Sequence, residues 1–184
     1  MPSGSKDQEL KNLTFERATG IGALHSFKCG QDIVDGIIQE LDSYLSTNDL
    51  FLVKEDGIVV ALFCLEKFGH SLFLPDKTLE KMRNGIKPKP SGCFDDEINY
   101  YQAAEISLLA VKEDCQKRHI GSFIIEQVLD KLIQDNVAHR EFLIVRALCV
   151  DNYSAVPFYL KCGFTPAQEI KEGDNSLTMY RVIR

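Results

Sequence analysis

Between Tyr100 and Asn136 the chain reads as a long strand, a short polar connection and an amphipathic helix. Tyr100 to Val111 is largely apolar. From Ile120 the apolar residues take a 3.6-residue period, with Ile120, Ile124, Val128 and Leu132 in one stripe and Ile125, Leu129 and Ile133 beside it. A strand feeding a helix in this way demands an architecture in which helices cover a sheet. The rest of the chain agrees. Leu13 to Arg17 alternates as a strand, and Ile33, Val34, Ile37, Ile38, Leu41 and Leu45 predict a helix beginning near Gly30. Leu50 to Val53 and Ile58 to Leu65 predict strands joined by a turn at Glu55-Asp56-Gly57, the second buried on both faces. Phe142 to Val150 predicts another apolar strand. Ala155 to Lys161 reads as a short helix ended by Gly163, and strands follow near 164–170 and 177–182. Asp76 to Arg83 reads as a short helix and Asn84 to Asp96 as a loop. The expectation is one α/β domain over residues 1–184, with residues 1–11 flexible and 76–99 an insertion.

Charge and cysteines narrow the function. There are 27 acidic and 21 basic residues, a net charge of −6. That balance argues against non-specific nucleic-acid binding, which needs a positive field, and suits a cationic amine as well as plain solubility. Six cysteines, at positions 29, 64, 93, 115, 149 and 162, are widely and irregularly spaced without a C-x-x-C pair, so neither a zinc site nor a disulfide framework is indicated and no metal is expected. Met1 to Phe15 lacks a signal-peptide core, and the longest apolar run, Ile58 to Leu65, falls far short of the ~20 residues that span a bilayer. A reducing cytoplasm is the expected location, with no membrane partner.

The chemistry is concentrated in two segments. Gln116-Lys117-Arg118-His119-Ile120-Gly121-Ser122 joins the long strand to its helix. Main-chain N–H groups in the first turn of a helix have no internal acceptor and form an anion site, which Gly121 leaves open to close approach. Lys117 and Arg118 add positive charge, so this connection predicts a phosphate-bearing ligand. The alternative is a plain turn. The second segment is Asn152-Tyr-Ser-Ala155-Val-Pro157-Phe158-Tyr159-Leu-Lys-Cys-Gly163-Phe164. Pro157 suits the first turn of a short helix. Tyr159 is either a packing residue with a satisfied hydroxyl or a proton donor.

Together, in this order, the two segments resemble the GNAT superfamily of N-acetyltransferases. Its pyrophosphate loop, Q/R-x-x-G-x-G/A, is met at Gln116 through Gly121, and its N-x-x-A-x-x-F-Y-x-x-x-G-F pattern at Asn152, Ala155, Phe158, Tyr159, Gly163 and Phe164. The resemblance implies a mixed, mostly antiparallel sheet with a splayed central strand pair flanked by helices, and acetyl-CoA as acyl donor. It implies that Leu109, Ala110 and Val111 pair with the pantetheine arm and that Gln116, Lys117, Arg118, His119, Ile120, Gly121 and Ser122 hold the diphosphate. It further implies that Asn152 bonds the pantetheine while Ala155 and Phe158 line the cofactor channel. Tyr159 becomes the general acid for the thiolate. Glu105 becomes the candidate base by its likeness to the catalytic glutamate of nuclear histone acetyltransferases, with an otherwise apolar strand raising its pKa towards a base's working range; the alternative is a glutamate at a strand edge facing solvent. One departure is His119 where the loop's first glycine is usual. It weakens cofactor affinity, meets a phosphate, or keeps ordinary helical main-chain angles.

The resemblance further implies that the acceptor is a primary amine, acetylated directly in a ternary complex. A shorter resemblance, Phe27-Lys28-Cys29-Gly30 with Val34-Asp35, is to acetyltransferase toxins of toxin–antitoxin pairs, which act on aminoacyl-tRNA. The acidic balance opposes that alternative, and the basic stretch from Lys77 to Lys89 favours it. A non-catalytic CoA-binding module is the other alternative, and a homodimer is compatible with everything above.

Overall fold

A computed structural model describes residues 10–75, 80–81, 84, 98–135, 140–168 and 173–183. The strands are β1 (Leu13–Ala18), β2 (Asn48–Glu55), β3 (Ile58–Glu66), β4 (His70–Pro75), β5 (Ile98–Val111), β6 (Phe142–Val150), β7 (Tyr153–Ser154), β8 (Thr165–Pro166) and β9 (Ser176–Val182). Among the described residues, the α-helices with both ends placed are α1 (Asp32–Gln39), α2 (Ile120–Gln134) and α3 (Val156–Lys161). The architecture is α/β, with a mostly antiparallel sheet. By its contacts the chain divides into two compact units, residues 1–68 with 107–127 and residues 69–106 with 128–184. Both β5 and α2 contribute to each.

In the first unit β1, β2 and β3 pair antiparallel in sequence order. β3 neighbours β5, and Lys112 N–H, just past the end of β5, donates to Val60 O at 2.9 Å. The β2–β3 turn is Asp56-Gly57, both with positive φ (49° and 81°). Two left-handed residues make the type I′ turn whose twist matches antiparallel strands. Leu24, Phe27, Ile38, Leu41, Leu50, Leu52, Leu62 and Cys64 form the core of this unit. On α1 only part of the predicted apolar set is inside. Ile38 is buried, whereas Ile33 and Ile37 are exposed. The α-helix ends at Gln39 and continues as a single 3-10 turn over Leu41–Tyr44. That change of twist carries Leu41 inward.

In the second unit β4 pairs antiparallel with β5, and β5 pairs parallel with β6 over Ala103–Ile106 and Phe142–Val145. β6 pairs antiparallel with β9 along Phe142–Leu148, and β9 with β8. Leu72, Leu74, Ala103, Ile144, Tyr180 and Val182 pack around Phe142, whose ring meets Tyr101 and Tyr180 edge-on at 5.2 and 5.5 Å.

On α2 the predicted stripe holds. Ile120, Ile124, Ile125, Val128 and Leu129 are buried, while Ile133 is exposed. β4 and the two-residue β7 go beyond the sequence reading; of the strand expected over 164–170, Thr165–Pro166 pairs with β9, Ala167 N–H donates to Thr178 O at 2.9 Å, and 169–170 lie outside the described residues. The helix expected over 76–83, the loop over 84–96, the basic stretch and Cys93 lie outside the described residues, apart from 80–81 and 84. The other five cysteines are free thiols. Among the described residues no helix is long and apolar enough to cross a membrane. Phe142→Ala should cost about 3–5 kcal/mol in urea unfolding, because it empties a buried aromatic site. A loss under about 1 kcal/mol would contradict this core assignment.

Candidate active site

The connection between β5 and α2 is built against strong local preferences. Lys117 and His119 both hold positive φ, 62° and 63°. Left-handed backbone costs an L residue roughly 1–2 kcal/mol, though histidine accepts it more readily than most. His119 therefore does not keep ordinary helical angles. It adopts the backbone that a glycine there would adopt freely. Its carbonyl receives Phe123 N–H at 3.0 Å and the Ser122 hydroxyl at 2.9 Å, which starts α2. The first-turn N–H groups then project from the helix end without acceptors in their own helix, and the helix dipole adds to their pull on an anion. Alternating left-handed residues beside a helix start form an anion-binding concavity. The geometry fits a diphosphate.

The side chains around this loop hold it rather than reach outward. Gln116 Nε2 donates to Cys29 O at 2.7 Å and to Val111 O at 3.2 Å. Arg118 makes two hydrogen bonds to Glu55, at 3.0 and 2.6 Å, clamping the β2–β3 turn. Its charge is thus matched by a carboxylate, and Lys117 beside it is exposed. The Arg118 hydrogen bond holds the Glu55 carboxyl below its ordinary range. Leu109, Ala110 and Val111 form the last turn of β5 before this loop, with Ala110 buried and the other two partly exposed.

In the second unit α3 carries Tyr159. Gly163 has φ 81°, its N–H donates to Leu160 O at 3.1 Å, and Phe164 N–H donates to Tyr159 O at 3.0 Å. This is a Schellman cap, completed by apolar contact between its third-last helical residue, Tyr159, and Phe164, with rings 5.5 Å apart. The Gly-Phe pair at the end of the second motif therefore has a direct physical use: it closes the helix around the tyrosine. Arg181 Nη1 donates to Cys162 O at 2.7 Å and adds positive charge at the same helix end. Tyr159 is 7 % exposed, and burial, with Tyr153 and Cys162 nearby, pushes its phenol above the ordinary range, so it stays protonated at neutral pH. Asn152 is exposed in the turn before β7, and Ala155 and Phe158 are half-buried.

Glu105 is 5 % exposed. Its surroundings are not wholly apolar, as its strand suggested. Oε1 lies 3.2 Å from Arg146 Nε, and Oε2 lies 3.1 Å from His70 Nδ1. Sequence reasoning missed both partners. Arg146 had a signal, a lone charge inside an apolar strand. His70 had none, because β4 was not foreseen.

The acetyltransferase (GNAT) family profile matches residues 27–164, and the chain belongs to that family. It is an acetyltransferase with acetyl-CoA as its donor. No curated protein matches it in sequence. Among solved structures it is similar to a tyrosine-to-phenylalanine mutant of the AtaT toxin, at TM-score 0.66 and 15% identity over 94% of this chain and 90% of that one. AtaTR bound with acetyl-CoA matches at TM-score 0.61 and 18% identity, over 94% and 95%. AtaT complexed with acetyl-methionyl-tRNAfMet matches at TM-score 0.59 and 18% identity, over 90% and 93%. At these identities the likeness is one of fold.

The Arg118–Glu55 pair carries a pH signature. A carboxyl held below its ordinary pKa stabilises the fold fully above that ordinary value and loses this contribution as pH falls through the lowered one. Wild type should therefore exceed Glu55→Gln in thermal stability at neutral pH, by under about 1 kcal/mol for so exposed a pair. The gap should close in strong acid. A gap that persists there would contradict the assignment.

Proposed function

We propose that residues 1–184 act as one N-acetyltransferase domain that moves an acetyl group from acetyl-CoA to a primary amine by direct transfer. The observation that carries this reading is the Gln116–Ser122 loop, whose left-handed residues and helix-start N–H groups suit a diphosphate. Main-chain groups of Leu109 and Val111, with Ala110 between them, pair with the pantetheine arm as an added strand. The loop from Lys117 to Ser122 takes the diphosphate through N–H groups, with Gln116 and Arg118 bracing it. Asn152 bonds the pantetheine, and Ala155 and Phe158 line its channel.

The amine needs a lone pair before it can attack. Glu105 accepts the proton, with its carboxylate oriented by Arg146 and His70. The amine nitrogen then bonds to the thioester carbon while a strand N–H polarises the carbonyl. The carbon–sulfur bond breaks, the phenol of Tyr159 gives its proton to the departing thiolate, and the second proton that the nitrogen sheds on becoming an amide restores the phenol.

A second reading takes the amine to be that of an aminoacyl-tRNA. The Phe27–Gly30 and Val34–Asp35 signature supports it, and so does the likeness of fold to AtaT complexed with acetyl-methionyl-tRNAfMet. The net charge of −6 weighs against it. A cytoplasmic site of action fits either reading.

Tyr159→Phe should lower kcat at least ~10-fold with acetyl-CoA KM little changed; an unchanged kcat would remove the acid role. Glu105→Gln should flatten the rise of kcat/KM with pH, and an unaltered profile would take Glu105 out of the mechanism. An acceptor screen of polyamines, amino acids, peptides and aminoacyl-tRNA, read by thiol release, separates the acceptors. Steep salt dependence of tRNA binding would favour the second reading. No tRNA binding at low salt would exclude it.

A further inference from the structure

The Phe27-Lys28-Cys29-Gly30 segment and Asp35 are not used by the mechanism above, yet they are tied to its loop. Asp35 is 6 % exposed, and a buried carboxylate must be met by donors. Its Oδ1 receives Cys29 N–H at 2.7 Å, a short charge-assisted bond. The carbonyl of that same Lys28–Cys29 peptide accepts Glu113 N–H at 3.0 Å. The peptide is therefore held at both ends, and hydrogen bonds in series strengthen one another. The next carbonyl, Cys29 O, takes Gln116 Nε2 at 2.7 Å. Gly30 follows with φ 79°, a backbone glycine adopts freely, and a Cβ there would lie 3.1 Å from the Glu113 side chain, so the segment and the β5–α2 connection are in close contact. The Cys29 thiol is pushed up to about 11, chiefly by burial. That fits a packing residue, not a nucleophile.

We propose that Asp35 is a positioning residue for acetyl-CoA, acting through the Cys29 main chain and the Gln116 amide to fix where the loop presents its N–H groups. This rests on the reading that the Gln116–Ser122 loop holds the diphosphate. It gives the Phe-x-Cys-Gly signature a task in donor binding, independent of which amine is acetylated.

A double-mutant cycle read by calorimetric CoA binding tests it. Asp35→Ala and Gln116→Ala should each weaken CoA about 10-fold. The double variant should be no weaker than the worse single, because both break one chain of contacts. Asp35→Asn, which keeps an acceptor for Cys29 N–H, should stay within about 3-fold of wild type. Additive losses, or an Asp35→Ala affinity within about 2-fold of wild type, would overturn the proposal. A wild-type measurement needs no folded variant: in an amide NMR titration with CoA, the Cys29 and Glu113 N–H resonances should move with those of Lys117 to Ser122. If the loop resonances move while Cys29 and Glu113 stay still, the positioning role is wrong and the loop reading stands. If wild type binds no CoA, the loop reading fails and the positioning role with it.

Discussion

The first turn of α2 leaves main-chain N–H groups that its own helix cannot satisfy, and much of the first unit is arranged around that constraint. The helix is fixed by a buried stripe from Ile120 to Leu129. Its entry needs left-handed backbone at Lys117 and His119, neither of them glycine. Such backbone persists only where the surroundings over-determine it. Here they do. Gln116 bridges the end of β5 and Cys29, Arg118 grips Glu55 at the β2–β3 turn, and the Ser122 hydroxyl bonds the His119 carbonyl. Strain in the connection is balanced by contacts from three separate stretches of chain.

The second unit solves a different problem, holding a phenol in place on a helix of only six residues. A helix that short has little stability of its own. Its C-terminal carbonyls are met by the Schellman cap and by Arg181, and its tyrosine is packed against Phe164. The same cap explains why the chain has Gly163 followed by an aromatic residue. Local backbone chemistry and the proposed acid role thus converge on one motif.

Much of this was legible in the sequence. β5, α2, β6 and α3 follow from period, turn residues and the two motifs, because each is a local pattern. What escaped was mostly non-local or weakly patterned. β4 is short and exposes Phe73, which blurs its alternation, and with β4 went His70 as a partner of Glu105. Arg118 read as free charge because its carboxylate sits 63 residues away in sequence. Ile33 and Ile37 fit a helical period but face outward, since periodicity places residues on a helix without saying how wide its buried stripe is. His119 was an open question that only the backbone angle could answer. The five described cysteines are free thiols, and Cys64 in the core is pushed up to about 12 by burial.

The central claim is that the β5–α2 connection binds the diphosphate of acetyl-CoA through main-chain N–H groups. A crystal structure of the chain with acetyl-CoA tests it most directly. The account predicts diphosphate oxygens within about 2.7–3.2 Å of N–H groups between Lys117 and Ser122. A diphosphate held elsewhere, or held there only by side-chain cations, would contradict it.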